Sequence, residues 1–204
     1  MSPTSRALEG LIWAIGVATG FAYLANYETT PGRDGVPPQA WPAASRLARG
    51  AGRPTLILFA HARCPCTRAS IGELERLMVH AKDRATVHVL LFDPDVSRDS
   101  WTKTDLWGSA NEIPGVRVAL DQNQREAGLF GSVTSGQVVY YDAGGRLQFR
   151  GGITGSRGHA GDNAGSLALI QLLRGRTPAT ATTPVFGCSL ADSCCDPTAD
   201  DRTP

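Results

Sequence analysis

Two cysteines held one residue apart, Cys64-Pro65-Cys66, are the side chains in this 204-residue chain whose type and spacing offer chemistry most directly. A thiol ionised near neutral pH is both a nucleophile and a soft metal ligand, and two thiols this close can cycle between dithiol and disulfide. A disulfide over so small a ring is strained and therefore easily reduced. As a structural staple the pair would do little, since closing three residues restricts the unfolded chain by about 1.6 kcal/mol, against ~3 for fifteen residues. Redox exchange therefore ranks ahead of a metal site, and a metal site ahead of an inert pair. His61, three residues earlier, is a candidate base or a third ligand beside Cys64 and Cys66, although an isolated histidine at a strand end is more often structural.

The flanking sequence positions these thiols. Thr55 to Ala60 is a short apolar, β-branched and aromatic run bounded by Pro54, which predicts a strand buried on both faces. From Arg68 onward Ile71, Leu74, Leu77 and Met78 recur at spacings of three and four, which predicts an amphipathic helix. Pro65 suits the first helical position, where its missing N–H would have no partner, so Cys64 falls at the N-cap. There the free amides and the positive end of the helix dipole favour a thiolate, with Arg63 and Arg68 adding charge, and Cys64 is the expected nucleophile. This reading requires that Cys64 sit at a helix beginning and that it not be walled off from solvent.

A net charge of +1 gives no case for a nucleic-acid partner. The five cysteines fall at 64, 66, 188, 194 and 195, leaving the presumed core without any, so a disulfide-dense scaffold is excluded and the core must hold itself. Cys188, Cys194 and Cys195 are candidate auxiliary thiols: a resolving thiol, a metal clamp or part of a disordered appendage.

In chain order, Gly10 to Ala25 is uncharged and nearly all apolar; with Ala7, Leu8, Asn26 and Tyr27 it approaches the ~20 residues that cross a bilayer. A cleaved signal peptide is the competing reading, with Gly20-Phe21-Ala22 a weak cleavage site. Arg6 before the segment and Glu28 after it bias the following domain to the outside of the cytoplasm, an oxidising compartment. The expected division is an anchor over 1–27, a Pro/Gly/Ala-rich linker over 28–52 with a short helical possibility at 43–48, a domain over 53–175, and a Pro/Thr-rich tail of little regular structure over 176–204.

Within the domain, Thr86 to Phe92 predicts a second buried strand, parallel to the first across a right-handed crossover. A helix over Ser97 to Ala110 capped by Ser97 and turning Trp101, Leu106 and Trp107 inward, a strand at Val116 to Leu120, and a helix over Gln122 to Phe130 stopped by Gly131 follow. Strands at Gln137 to Tyr141 and Arg146 to Phe149 flank the turn Asp142-Ala143-Gly144-Gly145, and Ala164 to Leu173 closes the domain as a helix with Asp162 as its cap. His159 is read as a loop residue.

This order resembles the thioredoxin-like fold over roughly residues 53 to 175, an α/β architecture with a central mixed sheet flanked by helices, here behind an N-terminal transmembrane helix. Asp121, Ala127, Phe130, Gly131, Val133, Asp142, Gly145 and Arg146 match the second half of membrane-anchored bacterial thiol reductases and peroxiredoxins. With its anchor and Cys-Pro-Cys the chain is similar to small RedB-type proteins. The resemblance implies a thiol-disulfide oxidoreductase without cofactor, tethered in a bacterial inner membrane by a single span with its domain on the periplasmic side, and acting on a protein thiol or disulfide. It implies Cys64 as attacking and Cys66 as resolving thiol, with Pro65 and the loop Thr134-Ser135-Gly136 bordering the substrate. That loop stands where the family carries a cis-proline, and the family's pair has two intervening residues. The alternative is a copper-binding or redox-sensing protein using Cys64, Cys66 and His61 or a tail cysteine.

Overall fold

The computed structural model describes residues 3–81, 83–93 and 104–190. The predicted cap Ser97, together with Trp101, Cys194 and Cys195, lies outside the described residues. Helix α1 spans Pro3–Thr29, 27 residues with no side chain buried, and is long and apolar enough to cross a membrane.

Strand β1, Thr55–His61, is buried at every position because it lies at the centre of a five-stranded sheet. Its apolar residues alternate in direction: Leu56, Leu58 and Ala60 enter one core cluster, Ile57 and Phe59 the other. Helix α2, Pro65–Ala81, returns the chain to β2, Thr86–Asp93, which pairs parallel with β1 from Thr55↔Thr86 to His61↔Phe92. Helix α3, Asp105–Glu112, leads to β3, Val116–Gln122, parallel to β2. After α4, Arg125–Leu129, the strands β4, Gln137–Tyr141, and β5, Leu147–Gly151, form an antiparallel hairpin through the predicted turn, with β4 antiparallel to β1. Helix α5, Ala164–Leu173, closes the order, and the sheet reads β3-β2-β1-β4-β5. Residues of α2, α3 and α5 build the first cluster, and Ala127 and Phe130 at α4 the second.

Several boundaries differ from the sequence expectation for local reasons. Helix α3 is capped at Thr104, whose Oγ1 accepts from the Trp107 N–H. Helix α4 is shorter than Gln122 to Phe130: Gln122 stays in β3, and Asn123 and Gln124 take left-handed φ angles of 52° and 56°. Asp121 caps that turn, its two carboxylate oxygens accepting the N–H groups of Glu126 and Ala127 at 2.8 Å each. Asn163, not Asp162, caps α5, because it is Asn163 Oδ1 that accepts from the Ser166 N–H.

Two stretches without periodicity are part of the packed body. Residues 31–50, expected as a spacer, cover the second face of the sheet: the Trp41 ring meets Phe130 and Tyr141 edge-on at 4.9 and 5.4 Å, the Tyr141 hydroxyl donates to Pro38 O, and Ala40 bridges Arg146. The helical possibility at 43–48 is not realised; Ser45 Oγ and the Arg46 N–H both donate to the Glu126 carboxylate. The tail from Ala181 runs beside β5, with Arg150 N–H to Ala181 O, Thr183 N–H to Arg150 O and Gly152 N–H to Pro184 O. It forms no helix or strand through Leu190, as expected, yet Val185 and Leu190 are buried.

Candidate functional site: three sulfurs at the β1–α2 junction

The junction is built as the sequence implies. Helix α2 opens at Pro65, so Cys64 occupies the capping position; its N–H donates to His61 O at 3.1 Å and its carbonyl accepts the Thr67 N–H at 3.0 Å. Three side-chain hydrogen bonds brace this turn. The His61 N–H donates to Ser135 Oγ at 2.9 Å, and the Thr67 hydroxyl donates to His61 O at 3.0 Å. With the Thr67 proton committed, the Ser135 hydroxyl donates to Thr67 Oγ1 at 2.8 Å, closing a buried ring that ties the 134–136 loop to the cysteine turn. The Gly136 N–H donates to Phe59 O at 2.8 Å, and Gly136 has φ +91°, a conformation glycine tolerates at little cost. No peptide bond among the described residues is cis.

The two predicted cysteines meet here, and a third joins them from the other end of the domain. Cys64 Sγ lies 3.1 Å from Cys188 Sγ, and hydrogen bonds link Cys66 to both. The arrangement drives Cys64 far below the ordinary thiol range. The hydrogen bond from Cys188 contributes most and that from Cys66 next; burial opposes both, and the main-chain N–H groups of Cys188 and Cys66 add to the stabilisation of the thiolate. For Cys66 the bond with Cys188 pulls downward, but the thiolate of Cys64 and burial outweigh it, and its thiol is held above the usual value. The arrangement favours the charged form of Cys64 and the protonated form of Cys66.

The sequence reading requires an accessible Cys64 at a helix beginning; the structure supplies the helix beginning and not the access. Cys64 is 0% exposed and Cys66 8%, while Pro65 between them faces solvent. The cover over the Thr134-Ser135-Gly136 loop, all three residues of which are buried, is the tail. The Ser135 N–H donates to Cys188 O at 2.8 Å, the Leu190 N–H to Val133 O at 2.9 Å, and Thr134 bridges Ser189 antiparallel. Residue spacing could not show this, because Cys188 is 124 positions from Cys64.

His61 is not drawn in as a third ligand. Its Nδ1 accepts the Arg63 N–H at 3.2 Å, its ring tilts against Phe92, and burial holds its basicity below the usual value despite the nearby Cys64 charge. Among the described residues no group of three or more His, Cys, Asp or Glu side chains is disposed to hold a metal ion. His159 stays exposed. Its neighbour Arg157, which nothing in the sequence singled out, donates to Gly187 O at 2.8 Å and to Thr30 O, and lies over the Tyr27 ring, joining the tail to the end of α1.

No protein-family model matches the sequence, and no curated protein matches it. Solved structures do match the fold. A hypothetical protein of Sinorhizobium meliloti 1021 aligns over 79% of this chain and 93% of its own at 19% identity and TM-score 0.55. An uncharacterized conserved protein of Geobacillus kaustophilus aligns over 79% and 92% at 18% identity and TM-score 0.56. An exposed lipoprotein thioredoxin of Streptococcus pneumoniae strain TIGR4 superposes over 61% and 86% at 16% identity and TM-score 0.44. Three parallel strands continued by an antiparallel hairpin, helices on both faces, and a cysteine at the turn from the central strand into its helix make this a thioredoxin-like fold.

Proposed function

We propose that this chain is a thiol-disulfide oxidoreductase whose working sulfur is Cys64. The observation that carries the reading is a cysteine sulfur held at a helix start with a second cysteine sulfur 3.1 Å from it. A charged sulfur beside a protonated one is the composition that thiol-disulfide exchange needs, since the thiolate attacks and a second thiol of the same chain completes the transfer. In the reducing direction a thiolate of the chain forms a mixed disulfide with one sulfur of a partner disulfide and expels the other. A second chain thiol, with Cys66 the nearest in sequence, then releases the first, and two electrons pass from the chain to the partner. Run backwards, the same steps oxidise a partner dithiol.

The partner is a protein thiol or disulfide outside the cytoplasm. Helix α1 serves as the tether in a bacterial inner membrane, with the domain on the periplasmic side, and Arg157 fastens the end of that helix to the domain. The test is exchange between the full chain in detergent and a small dithiol reagent. Cys64→Ser is expected to lower the rate about a hundredfold, because it removes the sulfur whose thiolate the helix start and its neighbours stabilise. Exchange undiminished in that variant would falsify the reading.

A further inference from the structure

Residues 184–190 lie against the 133–136 loop in the manner of an added strand. One main-chain bond runs from the Ser135 N–H to Cys188 O, another from the Leu190 N–H to Val133 O, and Thr134 faces Ser189 between them. This antiparallel pairing is how an extended peptide docks on a polypeptide edge. Gly187 fits the contact because a Cβ there would collide with the Ser135 carbonyl. The docked segment is therefore shaped to its seat, and it carries a cysteine whose sulfur stops 3.1 Å short of the thiolate.

We propose that Cys188 is the redox partner of Cys64 and the sulfur through which outside thiols enter: the disulfide this protein carries is Cys64–Cys188, with its own tail occupying the groove that a substrate peptide would use. The inference rests on the exchange reading above and deepens it. Bond formation needs the two sulfurs to close from 3.1 Å to about 2.05 Å. The rival Cys64–Cys66 bond must instead be closed over a three-residue ring.

Access and charge assign the direction of attack. Cys64 is sealed, whereas Cys188 is half-buried and lines an open hollow of about 450 Å³ with Arg33, Thr134 and Arg157. An incoming partner thiolate attacks Cys188 Sγ, the Cys64–Cys188 bond breaks, and its electron pair leaves on Cys64. The lower-pKa sulfur is the better leaving group, and here that is Cys64. The partner's second thiolate then attacks the partner sulfur of the mixed disulfide. A partner disulfide forms, Cys188 departs as a thiolate and takes up one of the two released protons, and the other goes to water while Cys64 stays ionised. The partner dithiol has lost two electrons and the Cys64/Cys188 pair has gained them.

The experiment uses the full chain in detergent with Cys194→Ser and Cys195→Ser, so that three thiols remain, oxidised with glutathione disulfide and digested without reduction. A Cys64–Cys188 cross-link, retained when Cys66→Ser is added, is the expected result. In the Cys64→Ser variant glutathione is expected to stay on Cys188. Cys188→Ser is expected to slow oxidation of a dithiol reagent at least tenfold. A Cys64–Cys66 link with Cys188 left open to alkylation, or an undiminished rate in Cys188→Ser, overturns the proposal while exchange itself stands. Absence of any cross-link together with absence of exchange overturns both.

Discussion

The junction over residues 55–81 and the tail over 181–190 end up in the same place by opposite means. The junction is buried because its sequence repeats: an uninterrupted apolar strand sits inside the sheet, and apolar residues at helical spacing turn Leu74 and Leu77 inward. The tail has no repeat, and its burial comes from single fits, with Leu190 in the second core cluster, Gly187 against the Ser135 carbonyl and main-chain bonds to β5 and the 133–135 loop. A pattern gives redundant burial, because many residues share the face. A series of single fits gives an address, because each contact has one solution. The chemistry stands where the two meet, with a cysteine at a helix start supplied by the patterned region and a sulfur 3.1 Å from it by the addressed one.

The sharpest way to test that contrast is to lock it. Linking Cys64 to Cys188 spans 124 positions, and on the chain-entropy argument a loop of this order stabilises the fold by about 4.7 kcal/mol. Denaturant midpoints of the oxidised and reduced full chain measure the difference. Next come cavities: Leu74→Ala and Leu190→Ala, at residues 0% and 2% exposed, should each cost about 2–5 kcal/mol if the tail is as much core as the helix. A negligible cost at Leu190 beside a large one at Leu74 would reduce the tail to a surface appendage. Ser135→Ala removes the acceptor of the buried His61 N–H and should cost about 1–3 kcal/mol, with a faster alkylation of Cys64 as the turn loosens. Gly187→Ala forces the tail off the Ser135 carbonyl; overpacking of this kind costs about 1–3 kcal/mol, and the expected signature is a faster alkylation of Cys64 and Cys188 in a chain that still folds.

The smallest effect is a pH slope. His88, whose Nε2 donates to Ala48 O in the 31–50 segment, has its basicity lowered by burial, with the bond to Ala48 opposing and Arg117 assisting. A histidine depressed in the fold contributes stability that is complete above its unfolded value, near pH 6.5, and is lost as the pH falls toward the folded value. A shallow decline of the denaturant midpoint below that point, flattened in His88→Gln, is expected. Cys64 has the same sign over a wider window, so in the reduced native chain the ultraviolet signature of a thiolate should persist well into the acid range and vanish in Cys64→Ser.

Much of this was legible without coordinates. The buried strand, the start of α2 at Pro65, the parallel crossover, the Asp142 to Gly145 turn and α5 all follow from local periodicity and turn chemistry, which neighbouring residues determine among themselves. What stayed hidden was every choice between near-equivalent residues, such as Asn163 over Asp162, and every contact made by segments without a period. Arg157 gave no signal at all, since a loop arginine looks the same whether it faces water or holds a tail carbonyl.

The sequence by itself determined that a cysteine would sit at a helix start beyond a buried strand, because strand and helix patterns and the proline after Cys64 are properties of adjacent residues. Only the tertiary structure decided which sulfur faces that cysteine and that the tail closes over it. Those follow from side chains more than a hundred positions apart being fitted to one another, and no local pattern encodes such a fit.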